Sequence, residues 1–187
     1  LVGVITGGCF GVPLTLWRDL GGFPEWFHTV AEDIYLCCAA RLWGYPVEIL
    51  TDPGFDHWIG SSLGGGKIRD NRLHTTLRRR AWSERNKTFT IIICYPMPWI
   101  LLIFPLHLGL LLMEGCLLSL FKWDGRLWRD IYWFCLREVW EKRRLLWRKR
   151  QFIQSKRVIK SKEFFALLSL MPHKLNMLIS HGLPEVR

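Results

Sequence analysis

Residues 21–37 read Gly21-Gly22-Phe23-Pro24-Glu25-Trp26-Phe27-His28-Thr29-Val30-Ala31-Glu32-Asp33-Ile34-Tyr35-Leu36-Cys37. The two glycines follow Leu14 to Leu20, which reads as a short helix, and glycine is the residue that most readily ends one. From Glu32 to Trp43, apolar residues at Ile34, Cys37, Cys38 and Leu42 fall at helical spacing, and Gly44 closes the segment. The acidic pair Glu32-Asp33 therefore opens a helix. Asp33 reads either as a helix-start carboxylate favoured by the macrodipole or as an acid placed for chemistry.

Upstream, Leu1 to Thr6 is a short β-branched run bounded by Gly7-Gly8, which suits a buried strand. Downstream, Val47 to Leu50 reads as a second short strand and Asp52-Pro53-Gly54 as a turn. Gly64-Gly65-Gly66 is a loop rather than a phosphate cradle, since no helix start with Lys-Ser/Thr follows it. Arg69 to Arg85 is a basic helix candidate. His28 and His107 read as structural.

The next stretch differs in kind. Phe89 to Met113 carries no formally charged side chain, and apolar character continues past Glu114 to Phe121. That exceeds the roughly 20 residues needed to span a bilayer core. Pro96, Pro98 and Pro105 interrupt it, and basic residues flank both ends: Arg78 to Arg80, Arg85 and Lys87 before, then Lys122, Arg126 and Arg129 after. The positive-inside bias wants both flanks on the cytosolic side. A re-entrant or in-plane helical pair bent near Pro105 meets this better than a single span; a buried core helix is the plainer alternative. Residues 123–160 interleave Trp123, Trp128, Tyr132, Trp133, Trp140 and Trp147 with Arg143-Arg144 and Arg148-Lys149-Arg150, as a membrane-surface helix does. Trp128, Tyr132, Cys135 and Val139 share one helical face. A last helix is expected over Lys162 to Met171, with Ser161 as its cap and Pro172 as its stop.

The 187 residues carry a net charge of +10, unevenly placed: residues 1–66 hold only Arg18 and Arg41 as basic side chains against seven acidic ones. Because the basic segments flank an apolar run and no nucleic-acid module is recognisable, the charge points to an anionic membrane and not to nucleic acid. The six cysteines show neither disulfide nor zinc spacing and read as reduced thiols in a cytosolic context. The chain opens on Leu1, inside an apolar run and without Met, and so reads as part of a longer frame.

In order and spacing these segments resemble a family-2, inverting glycosyltransferase of the rhamnosyltransferase type, from about Gly7 to about Phe165. The motifs are Gly7-Gly8-Cys9-Phe10, Arg18, Gly21-Gly22-Phe23, the pair Glu32-Asp33 with Ile34, Leu36-Cys37, Arg41 and Gly44-Tyr45. Phe55-Asp56-His57-Trp58-Ile59-Gly60-Ser61-Ser62, Arg85-Asn86 and the basic tail from Arg144 to Arg157 follow in turn. The resemblance implies an α/β fold: the C-terminal half of a Rossmann-like GT-A domain over residues 1–87, an apolar re-entrant or transmembrane segment over 88–121, and a basic, aromatic helical tail over 122–187. It implies transfer of a sugar from a nucleotide diphosphate sugar to a saccharide or lipid-linked acceptor with inversion, as in surface polysaccharide synthesis. Asp33 would be the general base and Glu32 its neighbour; Gly8, Arg18, Gly22, Trp26 and Arg85 would contact acceptor or substrate. His57 would ligate a divalent cation, Mg or Mn.

The chemistry of such a base is simple. An acceptor hydroxyl must lose its proton as it attacks the anomeric carbon, and a carboxylate within hydrogen-bond reach can take it. Two positions depart from the pattern: Tyr35 stands where a second acid is common, and Ala39 where an Arg is frequent. The family's nucleotide-binding half would precede Leu1, so these 187 residues are expected not to transfer sugar alone. The competing reading is a non-catalytic membrane-binding remnant.

Overall fold

Residues 1–5, 7–49, 54, 66–69, 71–168, 173–182 and 184–186 are described by the computed structural model. Helix α1 (Leu14–Leu20) buries Leu16 and Leu20 and stops at Gly21 and Gly22, both at positive φ. Gly21 N–H donates to Arg18 O and Gly22 N–H to Trp17 O, which satisfies carbonyls left open at the helix end. A Cβ on Gly22 would also lie 3.0 Å from the Trp17 ring. Helix α2 (Glu32–Leu42) is buried from Tyr35 through Leu42, and its Arg41 guanidinium donates to Phe164 O.

A small sheet follows, in the order β1-β2-β3. Strands β1 (Lys67–Arg69) and β2 (Arg72–Thr75) are antiparallel, and β3 (Glu185–Val186) lies parallel to β2. Thr76 Oγ1 then accepts from Arg79 N–H and caps helix α3 (Leu77–Cys94). After a break at Tyr95–Trp99 comes helix α4 (Ile100–Lys122). Helix α5 (Gly125–Leu127) runs through a π-helical turn, Trp128–Trp133, into α6 (Phe134–Glu141). Helices α7 (Arg143–Ser155), α8 (Ser161–Ala166) and α9 (His173–His181) complete the order.

Helix α3 is the axis. Its C-terminal half joins α1, α2, α7 and α8 in one core, where Phe27, Tyr35, Phe89, Ile93, Cys94, Ile153 and Phe164 are closed to solvent. Burying each such side chain fully is worth about 1.5–3 kcal/mol. Its N-terminal half contributes Ala81 to a second core with Leu111 and Leu118 of α4 and with Leu127, Ile131, Tyr132 and Cys135. Arg150 donates to Ile92 O and Tyr95 O, and Gln154 to Ile93 O and Cys94 O. The tail thus caps the negative end of α3 with a buried cation.

The sequence expectations change in several places. The protein is mostly helical, and among the described residues no Rossmann-like sheet is present. Residues 1–5 and 47–49 form no strand: a strand needs a ladder, and Val2 N–H to Val47 O, 2.9 Å, is the backbone bond that joins them. The basic helix starts at Leu77, because Arg72–Thr75 is drawn into the sheet. The bend falls at Tyr95–Trp99 and not at Pro105, which sits inside α4, close enough to its start for the helix to continue. Residues nearer the bend meet each other, His107 with Thr88, and residues farther away meet likewise, Glu114 with Arg80, so α3 and α4 form an antiparallel hairpin. The junction between residues 87 and 88 lies within α3. The face holding Tyr132 and Cys135 is turned into the protein. Helix α8 begins at Ser161, whose hydroxyl donates to Met97 O, and ends at Ala166; residues 169–172 lie outside the described residues. Cys9 and Cys116 are exposed, and the other four thiols are buried.

Candidate active site

The acidic pair stands at the end of a strained loop. His28, Val30 and Ala31 all have positive φ, at 60°, 72° and 66°. For a β-branched residue such as Val30 this is a steric outlier, which persists only where surrounding contacts impose it. The contacts come from two adjacent residues of α3. Asn86 Nδ2 donates to Phe27 O at 2.9 Å, Thr29 O at 3.1 Å and Val30 O at 2.7 Å. Arg85 donates to Phe27 O at 2.8 Å and Trp26 O at 3.3 Å, while its Nε holds Asn86 Oδ1 at 3.0 Å. Glu138 of α6 balances the buried guanidinium at 3.2 Å. Asn86 is wholly buried and Arg85 is 2% exposed. A buried polar group without partners is costly, so this network fixes the loop and, through it, the start of α2.

Ala31 is the residue before α2 and offers no side-chain cap. The carboxylates of the first turn take that place. Asp33 Oδ2 accepts from Gly7 N–H at 2.8 Å and Oδ1 from Ile34 N–H at 2.8 Å. Gly7 packs so closely that a Cβ there would lie 3.2 Å from the Asp33 Cβ. Each carboxylate oxygen retains a second lone pair. Asp33 is partly exposed, so an incoming hydroxyl can reach it.

Glu32 is different. Its Oε2 is sealed from solvent without a hydrogen-bond partner. Burial raises its pKa above the usual carboxylate value, and the neighbouring Asp33 charge adds to this. The backbone, Arg79 and Thr29 oppose it. Burial thus favours the protonated form of Glu32, beside a partly exposed Asp33.

The other expected site residues are scattered around this centre. Gly8 is exposed, next to the Gly7 that touches Asp33; Arg18 is exposed on the last turn of α1. Gly22 is held by its backbone and by Trp17. Trp26 packs its ring on Phe27 and Phe89, while its carbonyl meets Arg85. His57 lies outside the described residues, with the rest of Phe55 to Ser62. Among the described residues no three His, Cys, Asp or Glu side chains gather as metal ligands. Gly7 and Asn86 entered the sequence reading as motif positions without a site role of their own, and Glu138 was not singled out. The signal for Asn86 was the polar Arg85-Asn86 pair on a helix about to turn wholly apolar.

Comparison with protein-family models, with curated proteins and with solved structures finds no match to this chain.

Proposed function

We propose that the chain is the acceptor-side portion of an inverting glycosyltransferase, with Asp33 as general base. One observation carries the reading: a partly exposed carboxylate, oriented by the Gly7 and Ile34 amides, stands on a helix start that a strained and clamped loop holds in place. In this reading Asp33 takes the proton of an acceptor hydroxyl as it attacks the anomeric carbon of a nucleotide diphosphate sugar. Glu32, with its raised affinity for a proton, stands beside it and orients the acceptor or donor sugar. Gly8, Arg18, Gly22 and Trp26 lie on segments that would border the acceptor. Arg85 acts through the loop it clamps and is a positioning residue. A divalent cation, Mg or Mn, with His57 among its ligands, would neutralise the leaving diphosphate. The acceptor is a saccharide or a lipid-linked sugar, and the work is done at the cytosolic face of the cytoplasmic membrane.

One helix, Ile100–Lys122, is long and apolar enough to cross a membrane. That same helix favours a second reading, a membrane-binding module without chemistry. Asp33→Asn separates the two. In a chain that also carries a nucleotide-binding half, this change keeps size and most hydrogen bonds but removes the base, and should lower the transfer rate about 100- to 10,000-fold. Release of nucleoside diphosphate from a panel of nucleotide sugars measures it. A variant with the parent rate rules Asp33 out as the base.

A further inference from the structure

Helix α4 is amphipathic in the inverse sense. A helix that faces water turns its charges outward. Here the polar side chains of the inner stripe face the protein. His107 Nε2 lies 2.8 Å from Thr88 Oγ1, and Glu114 Oε1 accepts from Arg80 at 2.5 Å. Leu111 and Leu118 are buried between them, and Gly115 lets Tyr132 approach to 2.7 Å from where a Cβ would stand. The outer stripe, in helical spacing, is Leu102, Leu106, Leu110, Met113, Leu117 and Leu120, and each of these is exposed.

We propose that this outer stripe is a seat for one leaflet of an anionic bilayer, with α4 lying in the plane of the membrane. The inference does not rest on the sugar-transfer reading. At about 1.5 Å per residue the helix is roughly 35 Å long, enough to cross, so the choice between lying flat and crossing needs a physical reason. The inner contacts run from His107 to Leu118, over about half of the helix, so the body of the protein lies alongside it there. The π-helical turn packed against α4 bears exposed Arg129 with its partner Asp130, and the first turn of α3 bears exposed Arg78. Crossing would carry these groups to bilayer depth, where charged side chains are costly. Lying flat sinks only the apolar stripe, about 5–10 Å deep, and leaves the charges at the headgroups or in water.

The charge selects the partner. Exposed Lys122 and the 94% exposed Trp123 stand at the end of α4, and exposed Trp133 stands on the adjoining π-helical turn. A second copy would bring together two chains of net charge +10, whereas anionic lipid is complementary to it.

Flotation of the whole 187-residue chain on phosphatidylcholine vesicles, with and without about 30% phosphatidylglycerol, tests this. Binding should be about tenfold or more tighter to the anionic vesicles, and about 0.5 M salt should weaken it without abolishing it, since burial persists when charge is screened. Leu106→Glu and Leu117→Glu should each weaken binding about tenfold or more, with the far-ultraviolet circular dichroism unchanged. A fluorophore at native Cys116 in a Cys9→Ser background, or at Leu102→Cys or Leu110→Cys with Cys9 and Cys116 both changed to Ser, reports depth through brominated lipids. All three positions should lie at one shallow depth. A label at 110 deep in the bilayer with 102 shallow means a span and overturns the proposal. Equal binding to neutral vesicles removes its electrostatic half. Absence of binding, with a dimer that Leu106→Glu dissolves, assigns the stripe to a second copy instead.

Discussion

The loop from Trp26 to Ala31 and the helix from Ile100 to Lys122 are opposite solutions to the same problem, how a chain satisfies its surface. In the loop, the carbonyls of Trp26, Phe27, Thr29 and Val30 are taken by buried side chains of Arg85 and Asn86, and the backbone is driven into left-handed conformations. In α4 the backbone is helical throughout, and the side chains of the outer stripe stay exposed. The loop is bound by contacts over more than fifty residues of separation; the helix carries its character in its own composition. Rigidity therefore belongs to the region that looks irregular, and surplus surface to the region that looks most ordered.

The sharpest way to break this contrast is to cut the same residue type on the two faces of α4. Leu111 is 2% exposed and packs in the second core, so Leu111→Ala should cost about 2–5 kcal/mol in guanidinium denaturation. Leu106 is 59% exposed, and Leu106→Ala should stay within about 0.5 kcal/mol of the parent. Both are read in a mild non-ionic detergent that keeps the outer stripe wetted. Equal losses at the two positions mean that the outer stripe is covered by protein and that α4 is an ordinary core helix.

The loop is tested through Asn86. Asn86→Ala leaves the Thr29 and Val30 carbonyls without their donor, while Phe27 O keeps Arg85, and removes the restraint on Val30, at a cost of about 2–3 kcal/mol. Hydrogen exchange should quicken at the amides from Phe27 to Leu36 before it does in α7. If those amides keep the parent rates, the strain at Val30 is held by something other than Asn86.

These two regions were not equally legible in the sequence. The apolar length of α4, the short helix ending at Gly21-Gly22, and the helix opened by Glu32 follow from local pattern and composition, and the structure has all three. The direction of α4 was not legible. One Glu and one His in an apolar run do not say which way they face until Arg80 and Thr88 are placed opposite them. Residues 72–75 resembled the start of a basic helix because their strand partners lie at 67–69 and 185–186. The candidate site was legible as an acidic pair and an Arg-Asn pair. That the second pair holds the loop leading to the first depends on the packing of α3 against residues 26–31 and against Glu138 of α6, which no local window contains.

The smallest effect bears on Glu32, the point where the rigid loop hands over to the candidate site. Its folded-state pKa lies above the ordinary 4.5, chiefly because burial penalises the charged form. The sign follows from linkage. Between the unfolded and the raised folded value the native state binds more protons, so stability falls as pH rises through that window and stays lower above it. The carboxylate is a net penalty at neutral pH, relieved as pH drops through the folded pKa. Glu32→Gln keeps the shape and removes the charge. Its stability should equal or exceed that of the parent at pH 7, and the fall in stability just above pH 4.5 should flatten. Because the group is only half-buried, solvent screening keeps the change modest. Denaturation midpoints of parent and variant from pH 4.5 to neutral decide the matter. A variant less stable than the parent at pH 7 would show that Glu32 is held as a charged partner, with Arg79 as the cation that favours its charged form. The unsatisfied Oε2 would then be bonded in the working molecule, and burial would no longer decide the charge of Glu32.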